Sequence, residues 1–82
     1  MPTVLRSQGY TVVIRTRDHL PPHVHVRKGG GRVRIDLEAR LRIRNPVGLS
    51  PAEIAEAWWI VRQHHDEFLA KWRDIHGPHT GS

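Results

Sequence analysis

The feature that most constrains the fold of this chain is a strict alternation of charged and apolar residues over residues 32–44. Every even-numbered position there is charged, and every odd-numbered position is apolar. Because successive side chains of a β-strand point to opposite faces, a strand in this segment is apolar on one face and charged on the other. A sheet with one buried and one solvated face is typical of antiparallel strands. We therefore expect an antiparallel sheet whose outer face carries a ladder of charged side chains.

Three further strands are expected before this segment, each in a short run rich in β-branched residues. They are predicted at 3–6, 10–17 and 23–28. The glycines at 29–31 suit a tight hairpin turn, since such turns need positive φ angles. A single strand over 32–44 would be unusually long, so we expect a bend near 39–40. The sequence thus predicts an antiparallel meander of about four strands.

One long C-terminal helix is expected after the strands. Ser50 suits the N-cap, Pro51 suits the first helical position, and Glu53 completes a capping box. Side chains then recur at spacings of three and four, the period of an amphipathic helix. This stripe consists of Ile54, Trp58, Val61, His65, Phe68, Trp72 and Ile75. We expect the helix to pack on the apolar face of the sheet in a single α+β domain, residues 1–78, followed by a disordered tail at 79–82.

The composition limits the class of function. The formal charge is +5, and all but two of the 13 Lys and Arg residues are arginines, which suit phosphates or acidic protein partners. The chain has no cysteine, which excludes disulfides, thiolate metal sites and cysteine nucleophiles. Neither a membrane-spanning apolar run nor a signal peptide is visible in the sequence. We therefore expect a cytoplasmic protein without a membrane partner.

The first candidate site residues are His23 and His25, which alternate with Val24 and Val26. Burying a valine is favourable by roughly 1.5–2 kcal/mol, whereas a buried imidazole needs hydrogen-bond partners. The valines should therefore point towards the helix, and the imidazoles should share the outer face with the charged ladder. RNA phosphates are expected to be contacted there by Arg27, Arg32, Arg34 and Arg42.

Three interpretations of the histidine pair are open. The two imidazoles can act as the acid and base of a metal-independent ribonuclease, with arginines holding the phosphate. They can bind a metal ion with Asp18 or His19, although no cysteine or HExxH motif supports a metal site. They can also simply hydrogen-bond neighbouring strands. Asp36 and Glu38 can likewise serve only as ion-pair partners for the arginines. We expect no cofactor and no bound metal.

Trp59 is the candidate partner-binding residue. It lies off the apolar stripe, next to Ala55, Arg62 and Asp66 on a helical projection. Exposed tryptophans often anchor protein partners, so we expect a homodimer or a contact with a cognate protein there. The alternative is that Trp59 packs against 45–49 or the C-terminal tail.

Several motifs carry a resemblance to a known family. They are MPTVLR at 1–6, Gly9-Tyr10, PPHVHV at 21–26 with the glycines at 29–31, GLS at 48–50, and Phe68-Leu69 with Trp72. With these motifs the chain resembles a small bacterial family of domains of unknown function. The resemblance implies a toxin–antitoxin-like role, because the family's genes often neighbour a second small protein gene. We expect a component that binds or cleaves RNA; the alternatives are a non-catalytic module that binds a cognate protein, and a metal-binding protein.

Overall fold

In the computed structural model, residues 3–77 are described and form a five-stranded antiparallel sheet with two helices packed on one face. The strands are β1 (Thr3–Ser7), β2 (Tyr10–Val13), β3 (His23–Lys28), β4 (Gly31–Asp36) and β5 (Arg42–Val47). They lie side by side in chain order. The helices are α1 (Pro51–Gln63) and α2 (His65–His76). The α+β class and the antiparallel meander are confirmed, and the tail predicted at 79–82 lies outside the described residues.

The alternating segment forms two strands, so the prediction of about four strands is wrong. β4 ends at Asp36 and β5 begins at Arg42, and these two residues lie opposite each other. The bend predicted near 39–40 falls within this connection. The length of the segment indicated the bend, but the alternating pattern carries no signal that the chain reverses there instead of continuing in the same strand. Because the chain reverses, β5 pairs with β4 on the side away from β3. A single continuous strand would leave that side of β4 without a hydrogen-bonded neighbour.

The prediction of one long helix is also wrong, because the helix is divided at His64. This residue has φ −116° and ψ 20°, outside helical geometry, and its N–H donates to the carbonyls of Val61 and Arg62. The break gives the two halves separate directions, and both halves bury apolar side chains against the sheet, as Val61, Phe68 and Trp72 show. Periodicity could not reveal the break, because the apolar spacing continues unchanged through it.

The core lies between the sheet and the helices. Val24 and Val26 are fully buried in it, which confirms the predicted orientation of β3. The strands and the connections after β2 and β4 also contribute Tyr10, Val12, Ile14, Val33, Ile35 and Leu37. The helices contribute Ala57, Ile60, Val61, Phe68 and Trp72. The other members of the predicted stripe, Ile54, Trp58, His65 and Ile75, are partly buried at its margin. Within residues 3–77, neither helix is long and apolar enough to cross a membrane.

Two local features of the sequence appear as expected. The Ser50 hydroxyl accepts a hydrogen bond from the Glu53 N–H at 3.1 Å, and the Ser50 N–H donates to the Glu53 carboxylate at 2.8 Å. This capping box satisfies backbone groups that the first turn of α1 leaves unpaired. Gly29 and Gly30 form the turn between β3 and β4, and Gly31 begins β4. Gly31 packs so closely on Gly48 that a Cβ there would lie 2.4 Å from the Gly48 carbonyl oxygen.

Tyr10 connects the sheet to α1. Its ring is 1% exposed, and its hydroxyl donates to the Glu56 carboxylate at 2.8 Å. Burial, together with this hydrogen bond and the negative charge of Glu56, raises the pKa of Tyr10 to about 12. The helix layer is therefore held on the sheet by a directional contact as well as by apolar packing.

Candidate functional site

The outer face of the sheet, opposite the helices, presents the predicted site residues in cross-strand rows. Residues directly opposite each other on antiparallel strands have side chains on the same face. One row runs from β2 to β5 through Val13, His25, Arg34 and Arg44. A second row, also from β2 to β5, consists of Thr11, Arg27, Arg32 and Val47. A third row, from β3 to β5, consists of His23, Asp36 and Arg42. The two histidines therefore share one face with the arginine ladder.

A groove of about 330 Å³ lies on this outer face. It is lined by Arg15, His25, Arg27, Arg32, Val33, Arg34, Asn45 and Val47. Four arginines line it, and the part of its lining that the structure describes contains no acidic residue. We call it the arginine groove. Its electrostatic character suits an anion that offers several oxygen acceptors, such as phosphate.

The arginine groove brings together most of the predicted site residues. Arg27, Arg32 and Arg34 line it together with His25, whereas Arg42 and His23 do not. Sequence reasoning missed Arg15, which follows β2. The alternation of Val13 and Arg15 with the buried Val12 and Ile14 was the signal that could have placed Arg15 on this face.

Asp18 lies between the two histidines. It belongs to the connection between β2 and β3, and one of its carboxylate oxygens accepts a hydrogen bond from the Arg15 N–H at 3.0 Å. The carboxylate lies 3.3 Å from His25 Nε2 and 3.4 Å from His23 Nε2. The imidazole rings meet edge to face, with centroids 5.0 Å apart. The three side chains form a compact cluster, which we call the Asp–His cluster.

The two histidines differ in their access to solvent. His23 is 3% exposed, and its Nδ1 lies 2.8 Å from the Pro21 carbonyl oxygen. Because a carbonyl oxygen only accepts hydrogen bonds, Nδ1 of His23 carries a proton. The side chain of His25 is 15% exposed and lines the arginine groove. Of the predicted catalytic pair, His25 is therefore the imidazole placed to meet a ligand in the groove.

Charges around the Asp–His cluster favour a neutral His25 and an ionised Asp18. Burial lowers the pKa of His25, and the positive charge of Arg15 lowers it further, against the opposing effect of the hydrogen bond with Asp18. Burial would raise the pKa of Asp18, but the Arg15 N–H and the two imidazoles together outweigh burial and lower it. At neutral pH, His25 is thus an uncharged imidazole beside a carboxylate.

Asp36 is fully buried and binds two arginines of the ladder. Arg34 Nε donates to one carboxylate oxygen at 2.7 Å, and Arg44 Nε donates to the other at 2.8 Å. The predicted pairing of a ladder acid with arginines is therefore present at Asp36, while Glu38 is exposed. Part of the positive charge of Arg34 is balanced by Asp36. Arg34 therefore contributes less to the net positive potential of the groove than its full charge would.

The histidine of the helical stripe belongs to a different site. His65 Nε2 lies 3.1 Å from the Leu37 carbonyl oxygen, so this half-buried imidazole has a backbone partner on the helix side of the sheet. It lies across the sheet from His23 and His25. A half-buried histidine whose imidazole has a backbone hydrogen-bond partner serves a structural role.

Trp59 is exposed, as its position off the stripe predicts. It is 55% exposed and contacts Trp58 edge to face, with ring centroids 5.3 Å apart. The two rings border a shallow apolar depression of about 340 Å³, which also includes Ile43, Pro51, Ile54 and Ala55. Ile43 lies on the edge strand β5 and is 40% exposed. An apolar surface therefore extends from α1 to the edge of the sheet.

Comparison with known proteins gives one result. A family model described as a domain of unknown function (DUF4160) matches residues 9–73. The match includes the Asp–His cluster, every residue that lines the arginine groove, and Trp59. No curated protein and no solved structure matches the chain.

Proposed function

We propose that this chain, which belongs to the DUF4160 family of domains of unknown function, binds RNA through the arginine groove. The observation that carries the proposal is the convergence of Arg15, Arg27, Arg32 and Arg34 on one groove. Guanidinium groups bind phosphate oxygens with paired, charge-assisted hydrogen bonds. Such contacts attach a protein to the nucleic-acid backbone without reading the base sequence.

The lining of the groove also favours a particular kind of complex. Apart from the His25 imidazole, the described lining residues offer no ring on which a base could stack. Stacking platforms normally supply much of the affinity of proteins that bind single strands. We therefore expect phosphate contacts to dominate, so that affinity falls steeply with salt and depends little on base sequence.

A catalytic role in RNA cleavage is the finer form of this proposal. A neutral imidazole is the protonation state that a general base needs, and the lowered pKa of His25 supplies it at neutral pH. His23 is nearly buried and touches Asp18, so it would act by positioning the carboxylate and, through it, His25. In a toxin–antitoxin-like pair, this activity would be controlled by the cognate protein.

The test is binding of a short single-stranded RNA, followed by fluorescence anisotropy. Replacing Arg27 and Arg32 together by Gln removes two guanidinium groups from the groove and should weaken binding at least tenfold, since hydrogen bonds to charged groups contribute about 1.5–3 kcal/mol each. The control is the double replacement of Arg62 and Arg73, which removes the same charge from the helices. Equal weakening of RNA binding in both variants would contradict binding in the arginine groove and would indicate a general effect of net charge.

Cleavage is tested on the same RNA by gel electrophoresis. His25→Gln should abolish any cleavage by the wild-type protein, whereas His64→Gln, on the helix side, should leave it unchanged. RNA that stays intact with the wild-type protein, while binding depends on the groove, would assign the protein a binding function only.

The second candidate function is binding of a cognate protein at Trp59. Its support is the exposed apolar surface formed by Trp59 and Ile43 beside the edge strand β5. An edge strand also offers unpaired backbone groups to a partner. Co-purification with the product of a neighbouring gene should be lost in Trp59→Ala and retained when Arg27 and Arg32 are replaced. Light scattering of the isolated protein distinguishes this complex from a homodimer.

A further inference from the structure

We propose that the Asp–His cluster is a binding site for a divalent transition-metal ion, with zinc as the best fit. Asp18, His23 and His25 each offer one ligand atom, and these atoms lie within 4.8 Å of one another. Two imidazole nitrogens and one carboxylate oxygen form a donor set that zinc and related metals accept, with further positions left for water or a ligand. This inference does not depend on RNA binding in the groove, but it replaces the general-base role of His25, because a bound ion takes up the lone pair that a general base needs.

Two of the three distances in the cluster match the spacing that zinc requires, and the third, between the two imidazole nitrogens, is no more than 4.8 Å. Zinc bonds of about 2.0–2.1 Å in tetrahedral geometry place neighbouring ligand atoms about 3.3–3.4 Å apart. The Asp18 carboxylate lies 3.3 Å from His25 Nε2 and 3.4 Å from His23 Nε2. Both separations are longer than a good charge-assisted hydrogen bond, which is about 2.7–2.9 Å. These two spacings therefore suit a shared cation as well as the long hydrogen bond between His25 and Asp18.

The hydrogen bond of His23 Nδ1 gives a second, independent reason. Nδ1 donates to the Pro21 carbonyl at 2.8 Å, which leaves Nε2 as the ring nitrogen that faces the Asp18 carboxylate, at 3.4 Å. The two atoms meet where His23 is 3% exposed and the Asp18 side chain is 9% exposed. Metal-binding histidines commonly donate their other N–H to a backbone carbonyl, as His23 does.

The chain holds the cluster in place before any ion binds. Alternation along β3 puts the two imidazoles on one face, and the Arg15 N–H fixes the carboxylate of Asp18 at 3.0 Å. Next to His23, the Pro22 carbonyl accepts a hydrogen bond from the Leu37 N–H at 2.8 Å. Because the donors are pre-positioned, little ordering is required on binding. His25 belongs to the cluster and also lines the groove, so the ion would adjoin the proposed phosphate site.

The experiment uses the full chain without a histidine tag, stripped of metal by a chelator. Calorimetric titration with Zn²⁺ should show one equivalent bound, and Co²⁺ should give the intense visible absorption of a site with low coordination number. Asp18→Asn and His25→Gln should each lower the affinity at least tenfold, since even supporting residues of metal sites contribute about 10–100-fold. Circular dichroism of the metal-free variants checks that they are folded.

Two control variants carry matched changes elsewhere. His64→Gln removes another imidazole that contacts a carboxylate, with His64 Nδ1 3.1 Å from Glu67, and His19→Gln removes an imidazole next to Asp18 in the chain. Both variants should retain full metal affinity. Absence of binding by the folded wild-type protein would overturn the proposal. Affinity that survives in Asp18→Asn, or is lost in His64→Gln, would also overturn it.

The same titration separates this proposal from the RNA proposal. Replacing Arg27 and Arg32 by Gln should weaken RNA binding at least tenfold and leave the Zn²⁺ isotherm unchanged, because neither guanidinium belongs to the cluster. The cobalt spectrum of the wild-type protein needs no variant, so it decides the question even if a substitution in the cluster prevents folding.

Discussion

Replacing Asp36 by Asn should weaken the fold and strengthen RNA binding at the same time. The Asp36 carboxylate is fully buried, and its two oxygens accept hydrogen bonds from Arg34 and Arg44. An Asn side chain offers one acceptor oxygen and one NH₂ group. One guanidinium therefore keeps its acceptor, and the other faces a donor.

The cost follows from these contacts. A hydrogen bond to a charged group contributes about 1.5–3 kcal/mol, and removing one partner of a buried ion pair costs more. The side chains of Arg34 and Arg44 are 30% and 44% exposed, so water compensates part of the loss. We expect the free energy of unfolding to fall by about 2 kcal/mol, which urea denaturation should report as a midpoint lowered by about 1–2 M.

The gain in RNA binding has the same cause. Arg34 lines the arginine groove, and without the Asp36 charge its guanidinium is released for one more phosphate contact. The slope of log affinity against log salt should then become more negative by about 0.7, the increment for one contact on a single strand. Glu38→Gln, which removes an exposed acid, should change stability by less than about 0.5 kcal/mol. Equal effects of the two substitutions would refute the special role of Asp36.

Three further predictions address other parts of the molecule. Arg32→Gln should make the salt slope of RNA binding less negative by about 0.7, whereas Arg73→Gln should not; identical slopes in both variants would exclude a phosphate contact at Arg32. Tyr10 is the only tyrosine, and its pKa is about 12. Phenolate absorbance should therefore appear near pH 12 in the folded protein and near pH 10 in urea. Ionisation near pH 10 in the folded state would contradict the burial of the hydroxyl. Because burial lowers the pKa of His25, the unfolded chain binds more protons than the folded chain just below about pH 6.5. The free energy of unfolding should therefore fall as the pH drops from about 7 to 5. His25→Gln should flatten this profile, and an unchanged profile would assign it to other groups.

Much of the fold was predictable because its determinants are local. The two-residue period that turns Val24 inward also turns His25 outward, and it depends only on the geometry of an extended backbone. The start of α1 was equally predictable, since the Ser50 and Glu53 hydrogen bonds join residues three positions apart. The chemical character of the outer face, with imidazoles among arginines, followed from the same alternation.

The reversal between β4 and β5 and the break at His64 were decided by packing. In both places the apolar spacing continues without interruption. The length of the alternating segment predicted a bend near 39–40, but no local signal predicted a full reversal there or the break at His64. The chain turns at 37–41 because β5 then pairs with β4, and α1 and α2 separate so that Val61 and Phe68 are both buried. These choices depend on the free energy of contacts between elements, which a periodic pattern does not contain.

The candidate site shows the same division. The sequence by itself determined that His23, His25 and a set of arginines share one face of a sheet, because each strand obeys its own period. Only the tertiary structure decided that Asp18 returns between the imidazoles, that Arg15 joins the groove, and that Asp36 takes up part of the positive charge. The physical reason is that these contacts join residues on different strands and loops. Their positions follow from the path of the whole chain and from the balance of burial, charge and hydrogen bonding along it.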